Sequence, residues 1–172
     1  KEMDTAMLNK LTTNYTYFLR EEAHFKYLWD VVLPDLQKKH ARDKCLSIWS
    51  AGCSSGEEPY TISMYLKEFF GAQASQWDTR ILATDISQKA LASAKRGVYE
   101  LPDTLPPAWR KKYFRPVPGG KQFMVAPIIR DNVIFQTFNL MDPIRFRLKF
   151  DVIFCRNVMI YFDQPTNCLL YT

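Results

Sequence analysis

The stretch from Cys45 to Phe70 constrains this chain more than any other. Cys45-Leu46-Ser47-Ile48-Trp49-Ser50 is short, apolar and bounded by turn residues, so it reads as a buried strand. Ala51-Gly52-Cys53-Ser54-Ser55-Gly56 follows as a loop of small residues. Glu57 and Glu58 then open a helix that runs through Phe70. Pro59 falls in its first turn, where a missing N–H costs nothing, and Gly71 ends it. The unit repeats at once. Arg80-Ile81-Leu82-Ala83-Thr84-Asp85 reads as a strand ending on an acid, Ser87 caps the helix of Leu91, Ala92 and Ala94, and Gly97 stops it. Strand, helix, strand, helix predicts an α/β fold built on a parallel sheet.

Around this centre the periodicity changes. Residues 1–44 are helix-like, with Leu8 and Leu11, then Phe18, Phe25, Leu28, Trp29, Val32 and Leu33 at helical spacing until Pro34 interrupts. Residues 98–132 are rich in proline and read as an insertion, with a short basic helix near 107–114 and a small antiparallel unit around Gly119-Gly120. Val133–Phe138 resumes the sheet. Asp151–Cys155 is the next strand and runs into Arg156-Asn157-Val158-Met159-Ile160-Tyr161-Phe162. The expected division is a helical linker segment over 1–44 and a cofactor-binding domain over 45–172, with an inserted subdomain at about 98–132.

Composition closes off several functions. At 172 residues, with 47% hydrophobic and 24% charged residues, the chain has enough apolar content for a real core. The net charge of +5 is a mild bias without a Lys/Arg arm, so nucleic acid is not an expected partner. The densest basic cluster, Arg110, Lys111, Lys112 and Arg115, suits a solvated helix face or a docking patch. Cys45, Cys53, Cys155 and Cys168 form no CxxC pair and only His24 and His40 accompany them, so no metal site is expected. Cys45, Cys53 and Cys155 read as buried reduced thiols. With no signal peptide and no long apolar run, the expectation is a cytoplasmic protein without membrane insertion.

In doubly wound sheets, ligands lie beyond the carboxyl ends of the strands, at the switch point. Here the first such end is the loop Ala51–Gly56, with Glu57 and Glu58 at the helix start. Two carboxylates repel phosphate, and there is no Gly-Lys-Ser/Thr of a phosphate-binding loop. A cationic or zwitterionic ligand fits better, although both acids also complement the helix dipole. Asp85, at the second strand end, can accept ribose hydroxyls or cap the next helix. The loop is Gly52-x-x-x-Gly56 rather than Gly-x-Gly-x-x-Gly, which argues against a dinucleotide enzyme.

Four ordered segments carry a specific resemblance. They are Thr13-Asn14-Tyr15-Thr16-Tyr17-Phe18-Leu19-Arg20-Glu21, Trp49 through Tyr60, Ala83-Thr84-Asp85-Ile86-Ser87, and Phe154-Cys155-Arg156-Asn157-Val158-Met159-Ile160-Tyr161-Phe162-Asp163. Together they resemble the glutamate O-methyltransferases that act on bacterial chemoreceptors. The resemblance implies a class I S-adenosylmethionine-dependent fold, Rossmann-like, with helices flanking a parallel sheet and a small β insertion. It implies cofactor contacts by Asn14, Thr16, Arg20, Ala51, Gly52, a glutamate of the Glu57-Glu58 pair, Asp85, Ile86, Asn139, Leu140, Arg156 and Asn157. It implies that the substrate is the cytoplasmic domain of a chemoreceptor, with 98–132 docking a receptor C-terminal tail in some members. The chain supplies four strands, fewer than such a sheet contains, and a fourth strand left without a neighbour would be an exposed apolar edge. The sheet is therefore expected to be incomplete at the C-terminus.

The implied reaction is attack of a glutamate carboxylate on the methyl of the S-adenosyl-L-methionine sulfonium. It yields a methyl ester and S-adenosyl-L-homocysteine. A carboxylate is already ionised at neutral pH, so no general base is required. The protein then contributes orientation in a dry site, with Arg20 pinning a carboxylate and Tyr161 presenting its hydroxyl near the transferred methyl. Rival readings are an N-methyltransferase, disfavoured because no proline turn follows the fourth strand, and a non-catalytic cofactor-binding scaffold.

Overall fold

The computed structural model describes residues 16–142, 149–155 and 158–162. The chain runs α1 (Glu22–Tyr27), a π-helical turn (Leu28–Val32), α2 (Leu33–Lys39), β1 (Ile48–Ala51), α3 (Glu57–Phe70), a 3-10 segment (Gly71–Gln76), β2 (Ile81–Asp85) and α4 (Gln88–Arg96). It continues through β3 (Val98–Tyr99), α5 (Pro107–Tyr113), β4 (Phe114–Pro116), β5 (Phe123–Val125), α6 (Pro127–Arg130), β6 (Val133–Thr137), β7 (Val152–Cys155) and β8 (Val158–Tyr161).

The main sheet has the order β6-β2-β1-β7-β8. β1 pairs in parallel with β2 and with β7, and β2 pairs in parallel with β6. The chain builds outward from β1 through β2 to β6, then returns to the other side of β1 as β7. That reversal makes the carboxyl ends of β1 and β7 the switch point of the sheet, the position where doubly wound sheets hold ligands.

Residue alternation along β1 explains the two apolar faces. Ile48 joins the larger cluster, with Ile62, Met64 and Leu66 of α3 and Leu28, Val32 and Leu36 of the first helices. Trp49 and Ala51 point the other way, into a cluster with Phe150 and Ile153. The Trp49 indole N–H donates to the buried Thr84 hydroxyl at 2.9 Å, which satisfies both groups.

Three details differ from the sequence expectation. Pro34 does not end the helix. It lies in the first turn of α2, directly after the π turn, where Leu33 N–H bonds to Leu28 O rather than one residue nearer. The widened turn accommodates a ring that lacks a donor. β1 begins at Ile48, not Cys45, because Asp151 intercepts the chain before it. The Asp151 carboxylate accepts the Ser47 N–H at 2.9 Å, and Cys45 makes only an isolated bridge to Asp78. The sheet has five described strands rather than four. Val158–Tyr161 folds back antiparallel on β7, pairing Val152 with Tyr161 and Cys155 with Val158, so β7 is not an edge.

Residues 98–125 carry a separate antiparallel sheet in the order β3-β5-β4. α5 is tied down by its basic residues: Lys112 Nζ lies 2.9 Å from Glu68 of α3, and the Tyr113 hydroxyl donates to the same oxygen at 2.6 Å. Arg110 donates to Pro102 O at 3.1 Å and Arg115 to Phe114 O at 2.9 Å. Cys45, Cys53 and Cys155 are thiols, but only Cys53 is fully buried. Among the described residues no helix is long and apolar enough to cross a membrane.

Candidate functional site

The loop after β1 is shaped by its neighbours. The N–H groups of Gly52 and Cys53 both donate to Thr84 O, at 2.8 and 2.9 Å, which draws the loop over the end of β2. Ser54, in the left-handed region at φ 51°, donates its N–H to Asp85 at 2.8 Å, and the other Asp85 oxygen accepts Ser87 N–H at 2.9 Å. Asp85 thus ties the loop to the start of α4. Gly56, at φ 97°, ends the loop against Ala94 and Tyr99. The Tyr99 hydroxyl, on β3 of the small sheet, donates to Ser55 O at 2.5 Å.

The two acids at the start of α3 have separate surroundings. Glu57 is only 6% exposed. It accepts the Ser55 hydroxyl at 2.6 and 2.7 Å, and the Thr16 hydroxyl also bonds to it. Glu58 accepts the Ser50 hydroxyl at 2.7 Å and lies within the field of Arg20. Burial pushes both carboxyls above the usual carboxylate range, and in each case hydrogen bonds pull part of the way back. Cys53, in the loop before them, is pushed up to about 12, first by burial and then by Asp85 and Glu58, so its thiol is neutral.

Arg20 reaches this site on a bent backbone. Leu19 and Glu21 on either side of it adopt φ 63° and 59°. Leu19 N–H donates weakly, at 3.4 Å, to the Thr61 hydroxyl, which itself donates to Glu57 O at 2.7 Å. Phe18 anchors the segment with its ring edge-on to Tyr99 and Phe114, at 5.0 and 5.4 Å. Between them, Phe18 and Thr61 carry Arg20 to the α3 N-terminus.

The structure therefore brings together Thr16, Arg20, Ala51, Gly52, Glu57, Glu58 and Asp85. Ile86 is 64% exposed just beyond Asp85, as an open apolar side chain at the strand end. Phe138 N–H bonds to Asp85 O, which sets Asn139 and Leu140 beside it. The Asn139 carboxamide accepts Met141 N–H at 2.9 Å, and Leu140 packs on the Trp49 cluster. Asn14, Arg156 and Asn157 lie outside the described residues. Tyr161 is not brought to the site. The β7–β8 hairpin carries it back beside Val152, at the amino end of the sheet, where its hydroxyl bonds to Asp35 and Lys39. From sequence, Tyr161 is expected near the transferred methyl; the hairpin pairs it with Val152 instead. Ser50, Thr61 and Tyr99 were not expected from sequence. A serine inside an apolar strand and a tyrosine beyond Gly97 carry no local signal of a role.

A doubly wound sheet with an acid at the second strand end and desolvated carboxylates at the first loop defines a nucleotide-cofactor domain suited to a cationic ligand. The match to known sequences narrows this to one family. The profile of the CheR methyltransferase, SAM binding domain, covers residues 14–172, and the chain belongs to that family. A chemotaxis protein methyltransferase of Borreliella burgdorferi is 46% identical over 168 residues, covering 94% of this chain and 58% of that protein. A probable chemotaxis protein methyltransferase of Rhizobium etli is 42% identical, over 96% of this chain and 63% of that protein. Chemotaxis protein methyltransferase 1 of Pseudomonas aeruginosa is 40% identical, over 94% and 60%. The chain thus spans about three-fifths of the length of these relatives.

Proposed function

We propose that this domain holds S-adenosyl-L-methionine for methyl transfer to glutamate carboxylates of a chemoreceptor. The observation that carries the reading is the pair Glu57 and Glu58, both desolvated and both raised, at the loop over the switch point. A bound cation repays that desolvation, and the amino group of the cofactor is such a cation. The described partners of Glu57, Ser55 and Thr16, are neutral. The cofactor supplies an electrophilic methyl on sulfur, and the receptor carboxylate displaces it as thioether.

The chain's own residues bind and orient. Asp85 stands where ribose hydroxyls can reach its carboxylate, and exposed Ile86 offers an apolar surface to a base. Arg20, balanced by Glu58, pins a carboxylate, either that of the cofactor or that of the incoming glutamate. Asn139, Leu140, Arg156 and Asn157 complete the site by the family resemblance. The same reading puts the domain start at residue 45 and the enzyme in the cytoplasm. It assigns the unit 98–132 to receptor docking, with the three-stranded sheet as its platform.

The test uses the full-length protein with methyl-labelled S-adenosylmethionine and chemoreceptor membranes, followed by mild alkali. Volatile labelled methanol is the expected product, because a carboxyl methyl ester hydrolyses to it. Label that stays on protein through alkali means N-methylation and overturns the ester reading. Cofactor binding without any label identifies a scaffold.

A further inference from the structure

We propose that Ser50 is a positioning residue of this site, whose buried hydroxyl holds the Glu58 carboxylate in place opposite Arg20. The inference rests on the cofactor reading above. Its basis is the alternation of β1. Trp49 and Ala51 face the second cluster, so Ser50 between them faces α3, the side of Ile48. Ser50 is 0% exposed and is flanked in register by Ala83 and Phe154. Packing alone favours an apolar side chain there, because a buried hydroxyl must find a partner. Its partner is Glu58 Oε1 at 2.7 Å, a charge-assisted bond from the strand into the first turn of α3.

The groups around Glu58 fix what that bond does. From the segment before α1, Arg20 favours the ionised form. From the loop, the neutral Cys53 thiol contributes no charge. From the same helix, Glu57 is occupied by Ser55 and Thr16. Against burial, Glu58 therefore has two supports, the Ser50 hydroxyl and Arg20. Removing the hydroxyl leaves a carboxyl that protonates more readily, turns more freely and no longer balances Arg20. Ser50 acts on the cofactor only through these two side chains.

The test measures S-adenosylhomocysteine affinity by calorimetry from mildly acidic to mildly alkaline pH. It uses the full-length protein and its Ser50→Ala, Ser50→Cys and Glu58→Gln variants. Wild-type affinity should fall on the acid side. In Ser50→Ala that acid limb should move up by about one pH unit, the tenfold change in ionisation expected for one hydrogen bond to a charged group. At alkaline pH, where Glu58 is ionised in both, the gap should narrow to what the freer carboxylate alone costs. Ser50→Cys, close in volume but a weak donor, should follow Ser50→Ala and serves if the alanine variant does not fold. In Glu58→Gln, adding Ser50→Ala should move nothing further. A folded Ala or Cys variant whose limb coincides with wild type overturns the inference, as does an equal loss of affinity at every pH. Absence of binding by the wild type strikes instead at the cofactor reading.

Discussion

At Gly56 a Cβ would lie 2.9 Å from Ala94 Cβ and 2.9 Å from the Tyr99 hydroxyl, on a backbone at φ 97°. Ala94 belongs to a packed helix and cannot yield as a flexible side chain does. Gly56→Ala should therefore destabilise the fold by about 1–3 kcal/mol, read from chemical denaturation. Gly71 is the control, since a Cβ there meets nothing within 4 Å, although its own φ of 51° still carries some backbone strain. The acids beside Gly56 predict a pH effect whose sign can be worked out. A carboxyl whose folded pKa is raised adds stability below its unfolded pKa and loses it as pH rises through the folded one. Glu57 and Glu58 are both raised by burial, so without a ligand they cost stability near neutral pH. A cofactor cation relieves that cost only when they are ionised. The rise in melting temperature on adding S-adenosylhomocysteine should thus be larger near neutral pH than at mildly acidic pH. An equal rise at both would remove these two acids from the cofactor site.

At the scale of elements, two connections hold the site to its frame. The first is Tyr99, which joins the small sheet to the cofactor loop through Ser55 O while its ring packs on Phe18. Tyr99→Phe keeps the ring and removes the hydroxyl. It should cost about 1 kcal/mol of stability and weaken cofactor binding, because Ser55 also orients Glu57. The second is His40, at the end of α2. One ring nitrogen lies 2.9 Å from Asp151, just before β7, and the other lies 3.1 Å from Asp43. Burial alone would lower the His40 pKa, but the two carboxylates outweigh it and raise it above 6.5. The stability this adds is full below about 6.5 and is lost as pH rises through the raised value. Denaturation midpoints should decline over that window in the wild type and stay flatter in His40→Gln. Because Asp151 also accepts the Ser47 N–H, the same bridge decides where β1 begins.

Over the whole molecule, the two ends of the sheet are built differently. The carboxyl ends of β1, β2 and β6 gather the small-residue loop, the acids and Arg20. The amino end holds the His40 bridge and, through β8, Tyr161. Tyr161→Phe should therefore leave cofactor affinity within about twofold. Loss of its bond to Asp35 should appear only in stability. A large fall in affinity would mean that the hairpin does not carry Tyr161 away from the site. The parallel sheet was legible in the chain because apolar runs such as Ile81–Asp85 alternate with amphipathic runs closed by Ser87 and Gly97, and those signals are local. The site motifs were legible for a similar reason. A loop of small residues followed by Glu57-Glu58 can be recognised without knowing what faces it. What the sequence did not determine depends on contacts distant along the chain. A Pro34 that ends a helix and one that a π turn absorbs look alike in sequence. Whether Val158–Tyr161 continues a strand or reverses on it depends on pairing with β7, and one reversal moved Tyr161 from one end of the sheet to the other. Ser50 acquires a role only when α3 folds over β1 and puts Glu58 within 2.7 Å of it. Residue types and local periods are properties of the sequence alone. Tertiary packing decided which carboxylate met which donor, because that distance depends on two elements at once.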